Sequence, residues 1–492
     1  MPTWENQETI RARLRKERGG VSAQADTTIA LAYPSPYHTG MSSLGFQQVY
    51  KLIQRSGTIA CARAFLPDES QGEPAPLTYE HLRPLSHYPI VAFSVAYELE
   101  LAGLVHMLER SGIPSLRADR DEDAPFILAG GPLTFSNPLP LAAFADAIVM
   151  GEAEELVVPV LEIIAGAPTK AAALAALAAV PHVFVPEHHG ASMPSIAKCD
   201  TALLPASSAI RTPDTELSDM FLIETERGCS RMCTYCVMRR STNGGMRLVS
   251  KETILGTIPE DCRRVGLVGA AVSDHPKIAE IVRSLGERGA EVGLSSLRPD
   301  RLSEDFVSAL ALAGYRTLTT AMDGPSERLR ESLERRAKVK HLRRAAELAR
   351  AHGMKRLKLY LMLGLPSETD ADIDECVSFV GELSTVVPIA LGIAPFCAKR
   401  NTPLDGQPFA GIDVVSSRLE RLRRGLRGRA DVRSTSVKWA WVEYVLAQGG
   451  VAEGRALREA ALRGGSFAHY KAAFEATLAA KPARRSLAIA PV

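Results

Sequence analysis

The sequence predicts an α/β protein: a doubly wound, Rossmann-like first domain, a partial (βα)6 barrel, and a small helical C-terminal module. Three observations carry this. Apolar runs of strand length alternate with helical stretches twice over, from Thr27 and again from Met220. Between the two trains the chain is alanine-rich and then rich in Pro, Ser and Thr. After residue 405 the rhythm gives way to arginine-rich helical sequence. At 492 residues the chain is too long for one core, and roughly 150 residues per domain gives about three. The expected division is 1–26 as a helical extension, 27–165 as the first domain, 166–219 as a linker, 220–400 as the barrel and 401–492 as the last module.

Residues 5–19 are highly charged and read as a short exposed helix. TTIALAYP reads as a strand, SPYHTGMSSLG as a glycine-bearing loop, and GFQQVYKLIQRSG as a helix with a Gly stop. IVAFSVAY (90–97) is a continuous apolar run, hence a buried strand, and LELAGLVHMLERSG follows as a helix. PFILAGG (125–131) is a strand ending in a glycine pair, and AFADAIVMGEAEE carries a fourth strand into an acidic helix start. Strand, helix, strand at this spacing means a parallel sheet. Residues 166–219 read as a linker with one short helix. The second train holds FLIETERG, RVGLVG, EVGLSSL, RTLTTAMD, RLKLYLMLG and IALGIAPF, six strands each followed by a helical stretch. In both domains ligands belong beyond the C-terminal ends of the strands.

Composition is that of a globular chain: 46% hydrophobic and 23% charged residues exclude a disordered, collagen-like or membrane-embedded protein. The longest spanning candidate, 171–180, is far short of the roughly 20 apolar residues a bilayer needs. The N-terminus alternates charges without an apolar run, so no secretory leader is expected. Eight cysteines are too few for a disulfide scaffold, and three of them crowd into eight positions, which points to metal in a reducing cytoplasm.

That crowded segment is ERGCSRMCTYC, with Cys229, Cys233 and Cys236 spaced C-x3-C-x2-C just after the first barrel strand. Three thiolates in one loop can hold three irons of a cubane and leave the fourth open. A structural zinc site is the bland alternative, but zinc wants four Cys or His ligands in paired spacing. The next cysteine is Cys262, and no His occurs between 220 and 274. The motif resembles the radical S-adenosylmethionine (SAM) superfamily. That resemblance implies a 4Fe-4S cluster whose open iron binds SAM, with Tyr235 beside the adenine. It also implies contacts from LMLGLPSET (Gly364, Pro366) and from SSLRPD, where Ser295 and Ser296 lie and Arg298 could pair with the SAM carboxylate. A turn or a surface ion pair is the plain reading of the same residues. Many members carry a Gly-Gly-Glu turn after the second strand; VGAAVSD stands here, leaving Gly269, Ser273 or Asp274 to substitute.

The first domain resembles, over whole stretches such as AYPSPYHTGMSSLGFQQVY and AGGPLTFSNPLPLAAFADAIVMGEAEE, the cobalamin-binding domain that some radical SAM proteins carry. The resemblance runs from about residue 27 to 405. It implies cobalamin over the strand ends near His38, Gly40, Ser94, Tyr97, Gly130 and Gly131. The usual D-x-H-x-x-G loop is absent; His38 sits in PYHTG, with Pro36 where the Asp should be. A degenerate domain that binds nothing is the alternative. A nicotinamide fold would want G-x-G-x-x-G after the first strand, which is missing.

Residues 401–492 hold 15 Lys and Arg against 8 Asp and Glu, so a basic C-terminal face is expected. RLERLRRGLRGR (418–429) is followed by KWAWVEY, a pattern that can grip single-stranded nucleic acid by phosphate contact and stacking. A solvated helix face over two core tryptophans is the favoured reading of those residues. The leading functional expectation is a cytoplasmic, cobalamin-dependent radical SAM methyltransferase acting on an unactivated carbon of a small molecule or peptide. It would draw electrons from a flavodoxin- or ferredoxin-type donor, without a membrane partner. The alternatives are a non-methylating radical SAM enzyme and a cluster-bearing RNA-binding or redox-regulatory protein. Both cofactors must face one cavity for methyl transfer, so the domains should pack mouth to mouth with the linker outside.

Overall fold

The computed structural model describes residues 4–21, 23–68, 74–238 and 245–479. The outer ends of the expected first and last modules, 1–3 and 480–492, lie outside the described residues.

Six strands make the first sheet: β1 (Thr27–Tyr33), β2 (Ile59–Phe65), β3 (Ile90–Ser94), β4 (Phe126–Gly130), β5 (Ala147–Val149) and β6 (Val183–Phe184). Their order is β2-β1-β3-β4-β5-β6, the first five parallel and β6 antiparallel. The apolar runs are continuous because both faces are covered. Ile29, Leu31 and Leu128 face helices Leu44–Ser56 and Val157–Gly166, whereas Ala30, Val91 and Ile127 face helix Glu100–Arg110. Local signals set the helix bounds: the Ser43 hydroxyl accepts from the Phe46 N–H at 3.3 Å, and Gly57 closes the helix at φ +75°.

The barrel strands are β7 (Phe221–Glu224), β8 (Arg264–Val268), β9 (Glu291–Leu294), β10 (Thr317–Asp323), β11 (Arg356–Leu363) and β12 (Ile389–Pro395), all in parallel register. The wall passes from β9 to β10 through a bridge in which the Leu297 N–H donates to the Thr319 carbonyl at 2.8 Å. It does not stop at residue 400. Helix Ile412–Gly425 leads into β13 (Ala430–Ser434), which pairs parallel with β12. The alternating exposure of ADVRS is that of an edge strand and carries no apolar run for sequence reading to find.

Three other expectations change. Helix Trp4–Leu14 is not free of the core: Ile10 and Asn6 are buried, and Arg13 bonds to Asp68 and Tyr79. The 166–219 stretch is more than a linker with one helix. It holds helices Lys170–Ala178 and Pro186–His189, contributes β6 to the first sheet, and pairs Ile210–Arg211 with Arg18–Gly19. Finally, helices Val437–Gln448, Val451–Leu462 and Phe467–Ala479 do not stand as a separate module. Leu446, Leu457 and Phe474 share one core with Leu101, Leu104 and Phe144 of the first domain.

Candidate functional site

The cysteine loop hangs from a short hairpin, Glu226–Gly228 against Met246–Leu248, that continues β7. The Arg231 N–H points at Cys229 Sγ from 3.4 Å, and the Cys236 N–H donates to the Cys233 carbonyl at 3.2 Å. The loop is braced on its far side. The Thr234 N–H donates to the Leu333 carbonyl at 3.1 Å, and the Tyr235 phenol bonds Asp323, itself paired with Arg335. Burial, with Asp323 alongside, pushes the Tyr235 phenol well above its ordinary range.

These residues fit a polynuclear cluster better than one ion. A tetrahedral zinc with Zn–S near 2.3 Å would hold sulfurs ~3.8 Å apart. Among the described residues the trio of ligand atoms within 4.8 Å of one another is Glu152, Glu154 and Cys199; the loop sulfurs do not form one. Neither Cys262 nor His275 joins them: the Cys262 thiol donates to the Arg264 carbonyl, and His275 Nε2 meets the Val249 carbonyl. Cys229, Cys233 and Cys236 are the residues that would hold iron.

The other barrel residues divide. Gly269 leaves room for a side chain that its motif does not announce: a Cβ there would sit 2.0 Å from Glu226 Oε2, so the carboxylate would have to move. Glu226 is fully buried; its Oε1 accepts the Ala271 N–H at 2.5 Å while Oε2 has no partner. Burial, with Glu224 and Asp274 nearby, raises its carboxyl to about 8 despite that hydrogen bond. The sequence reading missed it because a Glu in ETERGC reads as a charged strand residue. Ser273 accepts the Arg298 N–H at 3.1 Å. The Arg298 side chain is 5% exposed and pairs with Asp274 and Asp300. Ser295 and Ser296 are exposed at the end of β9. Gly364 takes φ +83°, and the Gly364 and Leu365 N–H groups donate to the Glu368 carboxylate, which Arg418 covers; Pro366 follows, half-buried.

In the first domain Ser94, Gly130 and Gly131 come together. They line a cavity of about 430 Å3 with Leu31, Leu128 and Val149, and its far wall is Glu226, Gly228 and Gly269 of the barrel. Gly131 takes φ +106°, where a Cβ would meet the Val95 carbonyl oxygen at 2.7 Å. Pro132 is also part of a second cavity, about 620 Å3, lined by Tyr97, Tyr235 and Cys236. The two mouths thus face one seam. His38 and Gly40 do not join it. Pro36 starts a one-turn helix, Tyr37–Gly40, that leaves His38 exposed with Nδ1 3.8 Å from Asp68. Gly40 is buried where a Cβ would strike the Phe65 ring at 2.5 Å, so its role is packing.

A charge cluster ties the cysteine loop to the first domain. Arg227, two residues before Cys229, bonds Glu224 at 2.7 Å, Glu154 at 2.7 Å and Glu152 at 3.2 Å. Arg247 adds a second guanidinium on Glu152 and donates to the Cys199 carbonyl at 2.8 Å. Burial pushes the Glu152 carboxyl up, but Cys199 and the two arginines pull it below its usual value on balance.

Three arginines of the run 418–429 are engaged within the chain: Arg418 with Glu368, Arg421 with Asp374 and Arg423 with Ser434. Trp439 packs edge-on to Tyr470, and Trp441 to Phe467. No helix among the described residues is long and apolar enough to cross a membrane.

Residues 45–186 match the family described as radical SAM proteins, N-terminal, and residues 223–380 match the radical SAM superfamily. The uncharacterized protein MJ0966 of Methanocaldococcus jannaschii is 24% identical over 393 residues, covering 77% of this chain and 80% of its own length. Among solved structures, the cobalamin-dependent SAM radical enzyme OxsB with aqua-cobalamin bound matches at TM-score 0.50 and 14% identity over 82% of this chain. Its apo form matches at TM-score 0.51 and 13% identity. These likenesses concern the fold, and this chain spans 58% and 55% of those chains.

Proposed function

From a chain that carries radical SAM domains, and with them the expectation of a 4Fe-4S cluster and SAM, we propose a cobalamin-dependent radical SAM enzyme that methylates an unactivated carbon. Its substrate is a small molecule or a peptide, and its electrons come from a flavodoxin- or ferredoxin-type donor. The seam carries the reading: Gly130 and Gly131 stand across the first cavity from Glu226 and Gly228, and Tyr97 shares the second with Tyr235 and Cys236. When bound, the cluster with SAM supplies a carbon-centred radical and cobalamin supplies a methyl group. The chain's own residues do the positioning. Cys229, Cys233 and Cys236 would hold three irons, and the Gly130–Gly131 turn with Ser94 would admit a bulky nucleotide tail. The apolar walls keep water away from a reactive carbon, which cannot travel between separate sites.

Anaerobic reconstitution with iron, sulfide and hydroxocobalamin tests this. The wild-type chain should hold cluster iron with its broad visible absorption and retain corrinoid stoichiometrically. Cys229→Ala, Cys233→Ala and Cys236→Ala should each lose the cluster; iron retained in these variants would sink the assignment. A second reading, a non-methylating enzyme whose first domain has lost cobalamin, is favoured by one observation, the outward turn of His38. Intact iron without corrinoid would select it.

A further inference from the structure

The second cavity is where three parts of the chain converge. Ala96–Leu99 come from the turn after β3, Tyr235–Val237 from the cysteine loop, and Thr435, Ser436, Trp439 and Glu443 from the turn after β13 and the helix Val437–Gln448 that it starts. At about 620 Å3 it falls within the common range of ligand pockets, about 300–1,000 Å3. Its charged lining is Glu98, Lys399 and Glu443. Lys399 Nζ donates to Glu98 Oε2 and to Glu443 Oε1, each at 2.7 Å. One ammonium against two carboxylates leaves the pocket one negative charge in excess. Glu98 is 1% exposed, and its second oxygen, Oε1, is buried without a hydrogen-bond partner. A buried carboxylate oxygen left unpaired is costly unless a donor arrives. Around it stand two partly exposed rings, Tyr97 at 47% and Trp439 at 37%, the latter with one edge against Tyr470. Aromatic faces beside a net negative charge attract cations.

We propose that this cavity is the substrate site and that it selects a protonated amine carried on a flat, apolar body. The ammonium donates to Glu98 and Glu443 in company with Lys399, and the body lies between Tyr97 and Trp439. The C-terminal helix Val437–Gln448 thereby acquires a role: it is the wall that reads the substrate. The proposal rests on the radical SAM reading for what happens to the ligand, and on the cavity alone for what binds.

The test uses the full chain, reconstituted with cluster and cobalamin, and three probes of one shape: phenethylamine, 2-phenylethanol and 3-phenylpropionate. Calorimetric titration should give the amine at least tenfold tighter binding than the alcohol, with the carboxylate weakest. Glu443→Gln, at the more exposed partner, should erase that tenfold preference. Trp439→Leu, which leaves the ion cluster whole, should weaken the amine severalfold. Equal binding of amine and alcohol, a preference for the carboxylate, no binding of the amine, or an unchanged preference in Glu443→Gln would each overturn the proposal. Iron content and SAM cleavage in the same wild-type samples report on the enzyme class. Their loss with the amine preference intact condemns that assignment and spares this one; the converse result condemns this one.

Discussion

Arg227→Ala should unfasten the first domain from the cysteine loop. The guanidinium is 15% exposed and neutralises Glu152, Glu154 and Glu224, whose side chains are 4%, 6% and 10% exposed. Without it one cation, Arg247, faces three buried carboxylates. Breaking a buried pair by removing one partner costs about 3–5 kcal/mol. At roughly 2–4 °C per kcal/mol for units of this size, the transition reporting on the seam should fall by about 6–20 °C. The pH dependence gives the sharper check. In the wild type Glu152 titrates below its usual value, so its contribution is present above the unfolded carboxylate range and is lost as pH falls through the folded value. In the variant Glu152 loses one of the guanidinium groups that pull it down while burial still pushes it up, so acidification relieves it sooner. The gap between wild type and variant should therefore narrow as pH falls from 7 to 5. Thermal melts at pH 7, 6 and 5, with hydrogen exchange across 150–157 as the local probe, measure it. A gap of under 2 °C at pH 7, or one that widens on acidification, would refute the account of the cluster as a buried latch. Arg227→Lys keeps charge without the planar fork and should fall between the two.

Two further outcomes follow from backbone and core. Gly131→Ala places a Cβ 2.7 Å from the Val95 carbonyl oxygen in a conformation at φ +106°. It should cost about 1–3 kcal/mol and abolish corrinoid retention while iron content stays at the wild-type level; unchanged retention on gel filtration would contradict it. Phe474→Ala, at a fully buried position in the core shared by the first domain and the C-terminal helices, should cost about 3–5 kcal/mol. Urea unfolding followed by tryptophan fluorescence reads that loss, and a shift under 1 kcal/mol would mean the helices do not support the domain.

What could be read from the sequence was local. The strands at Thr27–Tyr33, Ile90–Ser94 and Phe126–Gly130 announce themselves because each is an apolar run covered on both faces, and the cysteines because all three sit within eight residues. What stayed hidden depends on partners far along the chain. IACARAF did not read as a strand, since Arg63 interrupts it; only Glu17 and Glu80, both bonded to that arginine, make its burial tolerable. Arg298 carries no sign of being sealed by Asp274 and Asp300. Glu98, Lys399 and Glu443 meet across more than 300 positions, a distance over which no spacing rule operates. His38 is exposed for a local reason: Pro36 starts the helical turn Tyr37–Gly40, which leaves the ring at the surface near Asp68.

The shared core of the first domain and the last helices sets a timetable for synthesis. Leu101, Leu104 and Leu108 leave the ribosome roughly 340–355 residues before Leu446 and Leu457, which cover them. At about 5–20 residues per second, that apolar face stands bare for about 17–70 s. During this interval the sheet can form, but the helix bearing Trp439 and Glu443 does not yet exist to wall the second cavity. The second cavity is thus walled only once Trp439 and Glu443 have been made. A nascent or prematurely released chain would expose a sticky surface for chaperones to hold, and it would lack one wall of the second cavity.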